Sequence, residues 1–91
     1  MSEWRLDNVK GMEGLRFRRK RYVRPSEAWD HDHCTACWAE LAEDDRLGVQ
    51  HEGYATCEDW KHGADYDWIC VSCFAELRRA MEWVDAAEGD Q

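Results

Sequence analysis

The sequence predicts a small α+β fold in which short β-hairpins precede a helix near the carboxyl end. Three observations support this prediction: a strand-like alternation early in the chain, two turn-forming Cys-x-x-Cys pairs, and a helical spacing of apolar residues directly after the second pair. A chain of 91 residues also has the length of one domain, because domains usually contain roughly 50–200 residues. We therefore treat residues 1–91 as a single domain.

The first predicted element is a basic strand. Between residues 15 and 24, the apolar residues Leu15, Phe17 and Val23 alternate with positions that are mostly cationic. A period of two predicts a strand with one half-buried face. Because cations discourage pairing with another edge, we expect an edge strand, which Pro25 ends.

The cations of this strand have two competing interpretations. Residues 1–24 carry eight Lys or Arg against three Asp or Glu, a formal charge of +5, whereas residues 25–91 carry four against seventeen, a formal charge of −13. The cations either neutralise this acidic body or bind the phosphates of a nucleic acid. The candidate phosphate-binding residues are Arg16, Arg18, Arg19, Lys20, Arg21 and Arg24. Neutralisation is favoured, since an acidic body repels nucleic acid at long range.

Further along the chain, composition predicts a short helix and then a hairpin. The segment from Trp38 to Asp45 is rich in Ala, Glu and Leu, which favours one or two helical turns that end at Gly48. Between residues 49 and 69, glycines separate aromatic and β-branched residues, which predicts two short strands joined by a loop around residues 58–65.

The last predicted element is a helix that begins at the second cysteine pair and ends at Gly89. Its apolar residues are spaced three, four and three positions apart, so they share one face: Phe74, Leu77, Met81 and Val84. Trp38 and Phe74 occupy the same position after their cysteine pairs, and we predict that both are buried.

The two cysteine pairs are the strongest chemical signal. Each pair is followed by an aromatic residue and then by Ala-Glu-Leu, at residues 34–41 and again at residues 70–77. Two thiols three positions apart at a turn point the same way, and two such pairs complete a tetrahedral sulfur cage for one structural Zn²⁺. The predicted ligands are Cys34, Cys37, Cys70 and Cys73. The competing interpretations are a thioredoxin-like redox pair or cysteines that are buried as small apolar residues.

The order of pair, hairpin, pair and helix resembles the treble-clef and zinc-ribbon group of zinc domains over roughly residues 30–85. In a treble clef, the second pair lies at the start of a helix, as Cys70 and Cys73 do here. The resemblance implies a zinc core and helix over residues 30–87, which the basic segment of residues 1–24 precedes. Cys57 is left over, and we expect a spare thiol there.

A histidine-rich string, Asp30-His31-Asp32-His33, precedes the first pair. It resembles the Asp-His-Asp-His of phage recombination endonucleases in the His-Me finger (HNH-like) group, which also carry two Cys-x-x-Cys pairs. In that group the string lies between the pairs, and here it precedes them. The resemblance implies a metal-dependent nuclease as one alternative. The other interpretation is a polar turn in which carboxylates orient the imidazoles of His31 and His33.

Other catalytic patterns do not fit the sequence. Four thiolates leave a zinc ion no open position for water. The chain contains no His-Glu-x-x-His, no phosphate-binding glycine loop and no nucleophile elbow. We therefore expect neither catalysis nor a small-molecule substrate.

The number of cysteines and the net charge predict the cellular compartment and the kind of partner. An odd number of cysteines, five, and the lack of an apolar leader favour a reducing, cytoplasmic compartment. No run approaches the roughly 18 apolar residues of a membrane span. The net charge of −8 favours a protein partner with a basic surface, for which the chain is a small adaptor or inhibitor-like module. Trp60 is the candidate interface anchor; the alternative is packing under its own loop.

Overall fold

The structure is a computed structural model that describes residues 3–89. The helices and strands follow one another along the chain in the order α1 (Arg5–Asn8), β1 (Arg16–Arg21), β2 (His31–His33), β3 (Glu40–Ala42), β4 (Glu52–Thr56), β5 (Trp68–Cys70), α2 (Val71–Met81), β6 (Val84–Asp85) and α3 (Ala86–Gly89). No helix within residues 3–89 is long and apolar enough to cross a membrane.

Four strands form the main sheet, in the order β5-β4-β1-β6. Strand β4 pairs antiparallel with β1 on one side and with β5 on the other, which confirms the predicted strands on either side of the 58–65 loop. Strand β6 pairs in parallel with β1 at Arg16 and Phe17. The predicted edge position of β1 is therefore wrong for its first two residues, because alternation fixes the two faces of a strand and not its neighbours.

The helical turns predicted for residues 38–45 are wrong, and the chain forms β3 there instead. Trp38 has a φ of +70°, in the left-handed region, and its N–H donates to the Cys34 carbonyl at 2.8 Å, which closes the turn of the first cysteine pair. The chain then extends and pairs antiparallel with β2. Strand hydrogen bonds thus override the helix propensity of Ala, Glu and Leu. The turn leaves Trp38 64% exposed, so its predicted burial is also wrong.

Helix α2 begins directly after Cys70 and buries the predicted face: Phe74, Leu77 and Met81. It ends earlier than the sequence predicts. Glu82 adopts φ +57°, and its N–H donates to carbonyls of the last helical turn, a left-handed stop that does not require glycine. Val84 consequently leaves the helix and lies in β6, so the predicted extension to Gly89 is wrong.

Aromatic rings fill the core between α2 and the main sheet. Phe17 is fully buried, and its ring lies edge-on to Phe74 at 5.9 Å and to Trp83 at 5.2 Å between centroids. Tyr54 stacks on Phe74 with 3.7 Å between centroids. The indole Nε1 of Trp83 donates to the Met12 carbonyl at 2.9 Å, so its one polar group is satisfied. This cluster joins β1, β4, α2 and the segment after α2.

Gly53 lies where β4 approaches its neighbours closely. A Cβ atom there would lie 2.9 Å from the carbonyl oxygen of Ile69 and 2.9 Å from Cδ2 of Leu41. Because the first of these atoms is backbone, β5 must shift to admit a methyl group. We expect Gly53→Ala to lower the free energy of unfolding by about 1–3 kcal/mol, the usual cost of overpacking, as urea denaturation would measure. An unchanged midpoint would contradict this close packing.

Candidate metal centre

The structure brings together the four cysteines that the sequence predicts as ligands. The Sγ atoms of Cys34, Cys37, Cys70 and Cys73 all lie within 4.8 Å of one another, and those of Cys37 and Cys70 are 3.8 Å apart. Four sulfur atoms at about 2.3 Å from a tetrahedral ion stand about 3.8 Å from each other. The donor set and its spacing therefore fit a single metal ion.

Backbone hydrogen bonds position the two pairs. The N–H of Cys34, just after β2, donates to the Ala39 carbonyl at 2.7 Å and thereby closes the first turn. The N–H of Thr35 donates to the Trp68 carbonyl at 2.8 Å, which attaches this turn to β5. Because β5 runs from Trp68 to Cys70, directly before α2, this attachment places the first pair beside the second. An ion there would join the small β2–β3 sheet to the main sheet and α2.

Burial and mutual contact favour the protonated thiols when no metal is bound. A hydrogen bond with Cys70 and burial raise the pKa of Cys34 far above its usual value. Burial, together with the neighbouring Cys34 sulfur, raises the pKa of Cys73 to about 12. Since the thiolate is the ligand, metal binding must release protons, and acid must oppose it.

Helix α1 packs beside the cluster and adds a cation to it. Nη1 of Arg5 donates to Sγ of Cys73 at 3.4 Å and lies 2.9 Å from a carboxylate oxygen of Glu76. Asn8 Nδ2 donates to the Ala36 carbonyl, inside the first pair, at 2.8 Å. The Arg5 guanidinium also pairs with Glu3 at 2.8 Å, so Arg5 links the cysteine cluster to two carboxylates, and its N–H would stabilise a thiolate of a metal-bound cluster through a charge-assisted hydrogen bond. Sequence reasoning missed Arg5, because 68 positions separate it from Cys73.

We expect Arg5→Met to accelerate the release of metal from the cysteine cluster. Methionine keeps an apolar stem but removes both the charge and the donor, and the loss of such an outer hydrogen bond typically weakens metal binding by about 10–100-fold. The release rate into excess chelator would measure the effect. Arg79→Met, on the exposed side of α2, is the control. Equal rates for the two variants would show that Arg5 plays no part in retaining the metal.

His31–His33 of the histidine-rich string form β2, just before the cluster, and the carboxylates of the string form hydrogen bonds with neighbouring side chains. Nδ1 of His31 lies 2.7 Å from Oδ1 of Asp30, and Asp32 accepts a hydrogen bond from the Tyr22 hydroxyl at 2.8 Å. Within residues 3–89, the four cysteines are the only set of three or more His, Cys, Asp or Glu side chains whose ligand atoms converge. Neither His31 nor His33 therefore belongs to this set.

Cys57 lies outside the cluster. Its side chain is buried, and burial raises the pKa of its thiol. This placement agrees with the spare thiol that the sequence predicts.

Four of the six candidate phosphate-binding residues form ion pairs with carboxylates of the same chain. The pairs and their N–O distances are Arg18 with Glu58 at 3.8 Å, Arg19 with Glu52 at 2.9 Å, Lys20 with Asp65 at 2.8 Å and Arg24 with Glu43 at 3.8 Å. Arg16 and Arg21 have no ion-pair partner in the described part of the chain. Four of the six cations thus neutralise carboxylates of residues 25–91, and phosphate binding by this segment stays a prediction.

Trp60 is half-buried and packs against the core under its own loop. Its Nε1 donates to Oδ2 of Asp67 at 2.9 Å, and the Lys61 amine lies 5.5 Å from the ring centroid. Its role as an interface anchor stays a prediction. Three tryptophans are more exposed: Trp4, Trp29 and Trp38.

Comparison with known proteins identifies no relative: no family model, no curated protein and no solved structure matches this chain.

Proposed function

We propose that the four cysteines hold one structural Zn²⁺ and that the chain, a treble-clef-like α+β zinc domain, is a non-catalytic module that binds a basic protein surface. The convergence of four sulfur atoms carries the first half of the proposal. Four thiolates suit Zn²⁺ and fill its tetrahedral sphere, so no position is left for water or substrate. Cys70 and Cys73 at the start of α2, after the β4–β5 hairpin, support the treble-clef description.

Residues 25–51, which we call the acidic lobe, support the second half of the proposal. This segment carries one Lys or Arg against seven Asp or Glu, a formal charge of −6. It also exposes large apolar side chains, since Trp29 is 54% exposed, Trp38 is 64% exposed and Leu47 is fully exposed. Aromatic side chains concentrate binding energy at interfaces, and the surrounding charge steers a partner of opposite sign.

The ion pairs of β1 and of Arg24 favour this function over nucleic-acid binding. A phosphate would have to replace a carboxylate that already lies 2.8–3.8 Å from Arg18, Arg19, Lys20 or Arg24. The basic strand is therefore less available to nucleic acid than its sequence suggests. The acidic lobe also has ion-paired carboxylates, Glu40, Glu43 and Asp44, but it exposes the large apolar side chains of Trp29, Trp38 and Leu47.

Two measurements test the two halves of the proposal separately. Native mass spectrometry should find one zinc ion per chain, which chelation removes. Immobilised protein should capture from an extract of the native host a protein with a basic surface, and added salt should weaken this binding. Plasmid DNA with Mg²⁺ should show no nicking, which tests the nuclease alternative.

Substitutions in the acidic lobe make the capture experiment specific. We expect the double variant Trp29→Ala/Trp38→Ala to lose the partner, because both aromatic anchors are removed. Trp4→Ala is the control, since Trp4 is similarly exposed but lies outside the acidic lobe. Trp60→Ala shows whether the half-buried tryptophan contributes. Capture that survives the double variant, or that nuclease treatment abolishes, would contradict the proposed binding surface.

A further inference from the structure

His31 and His33 are a second pair of neighbouring side chains of a metal-ligating type, and they lie outside the cysteine cluster. They lie on one face of β2, because alternate residues of a strand share a face. Their ring centroids are 5.0 Å apart, with planes at 87°. Two imidazoles that bind one ion at about 2.0–2.1 Å, with an N–metal–N angle of about 90–109°, have centroids about 4.5–5.2 Å apart. The observed spacing falls within that range, which is also usual for an edge-to-face contact between two rings.

A carboxylate already orients the first of these rings. Nδ1 of His31 lies 2.7 Å from Oδ1 of Asp30. In the neutral ring, this hydrogen bond places the proton on Nδ1 and leaves the Nε2 lone pair available. Histidines that bind metals almost always donate their other N–H to such a carboxylate or to a carbonyl. Asp30 therefore supplies an outer contact that a metal-binding His31 needs.

The surroundings of the pair admit a cation from solvent. An open depression of about 330 Å³ is lined by residues 28–33, which include both imidazoles and the indole of Trp29. His33 is exposed and His31 is partly exposed. The acidic lobe around them carries a formal charge of −6, which raises the local concentration of cations.

We propose that His31 and His33 bind one exchangeable divalent transition-metal ion of the Ni²⁺ and Zn²⁺ class, with water in the remaining positions. Imidazole nitrogen suits these ions, whereas Mg²⁺ and Ca²⁺ require oxygen ligands. Within residues 3–89, no further His, Cys, Asp or Glu side chain joins the pair as a third ligand, so this ion keeps open positions that the cysteine cluster does not offer. The site is distinct from the proposed structural zinc, which stabilises the fold that holds the two histidines together.

A nickel titration of protein that is already loaded with zinc tests this proposal. Native mass spectrometry should show one Ni²⁺ bound in addition to the zinc, and calorimetry should give its affinity. We expect His31→Gln or His33→Gln to weaken nickel binding at least about tenfold, and Asp30→Asn to weaken it by about tenfold, as expected for loss of an outer contact. His62→Gln, which removes an exposed histidine from the loop after β4, should change nothing.

The wild-type protein supplies a second readout that does not depend on variants. Paramagnetic Ni²⁺ should broaden the imidazole resonances of His31 and His33 before those of His51 and His62. The proposal would be overturned if nickel were not taken up, if it displaced the zinc, or if it bound equally well to a His31→Gln/His33→Gln variant that retains zinc. Equal broadening of all four histidines would also overturn it.

Discussion

Removal of the metal from the cysteine cluster is expected to unfold the protein. The cluster is where the turn after β2 meets β5 and the start of α2, and three of its four cysteines are buried. A structural zinc contributes on the order of 10–16 kcal/mol of apparent binding free energy at neutral pH. The whole stability of a small domain is about 5–15 kcal/mol, so little would remain without the ion. Chelation should abolish the helical circular dichroism signal, and added Zn²⁺ should restore it.

Alanine substitutions should separate the metal ligands from the spare thiol. We expect Cys34→Ala to behave as chelation does, because three thiolates and an empty position hold the ion poorly. Cys57→Ala removes an equally buried thiol that lies outside the cluster, so we expect a loss of only about 1 kcal/mol and full zinc content. An apo protein that keeps its helix, or equal damage from the two variants, would contradict the structural role of the cluster.

Phe17→Ala is expected to cause the largest loss of stability among substitutions away from the metal. The ring is fully buried and contacts the rings of Phe74 and Trp83, so its removal leaves a cavity at the junction of β1, α2 and the segment after α2. Such truncations usually cost about 3–5 kcal/mol. Urea denaturation in excess Zn²⁺ would measure the loss.

The control for Phe17→Ala is Val23→Ala, just beyond the end of β1. Val23 is 61% exposed, and exposed substitutions usually change stability by no more than about 0.5 kcal/mol. If Phe17→Ala cost less than about 1 kcal/mol, the aromatic cluster would not be the main apolar core.

The repeated Ala-Glu-Leu tripeptide shows what the sequence could predict and what it could not. Residues 75–77 lie in α2, and residues 39–41 lead into and form part of β3. The helix was predictable because its apolar spacing defines a complete face within one segment. The strand was not, because its hydrogen bonds come from β2 and from Gln50, which local composition does not indicate. Identical tripeptides thus take the structure that their distant partners allow.

The candidate metal centre was more predictable than the contacts that surround it. Cys-x-x-Cys spacing predicts local geometry directly, because it places two sulfur atoms on one turn. Arg5 has no such local signature, because its role depends on a contact with Cys73 across most of the chain. The exposure of Trp38 was equally unpredictable from the sequence. It follows from a left-handed backbone conformation, which tryptophan usually avoids.

The parallel pairing of β1 with β6 sets the moment at which this chain can finish folding during its synthesis. The N–H of Val84 donates to the carbonyl of Leu15 at 2.9 Å. Strand β1, which is synthesised early, can therefore complete its pairing only after β6 has been synthesised. Until residue 85 has left the ribosome, Phe17 lacks its contact with Trp83, and the nascent polypeptide exposes this part of its apolar core. We expect chaperones and proteases to meet this protein chiefly in that interval.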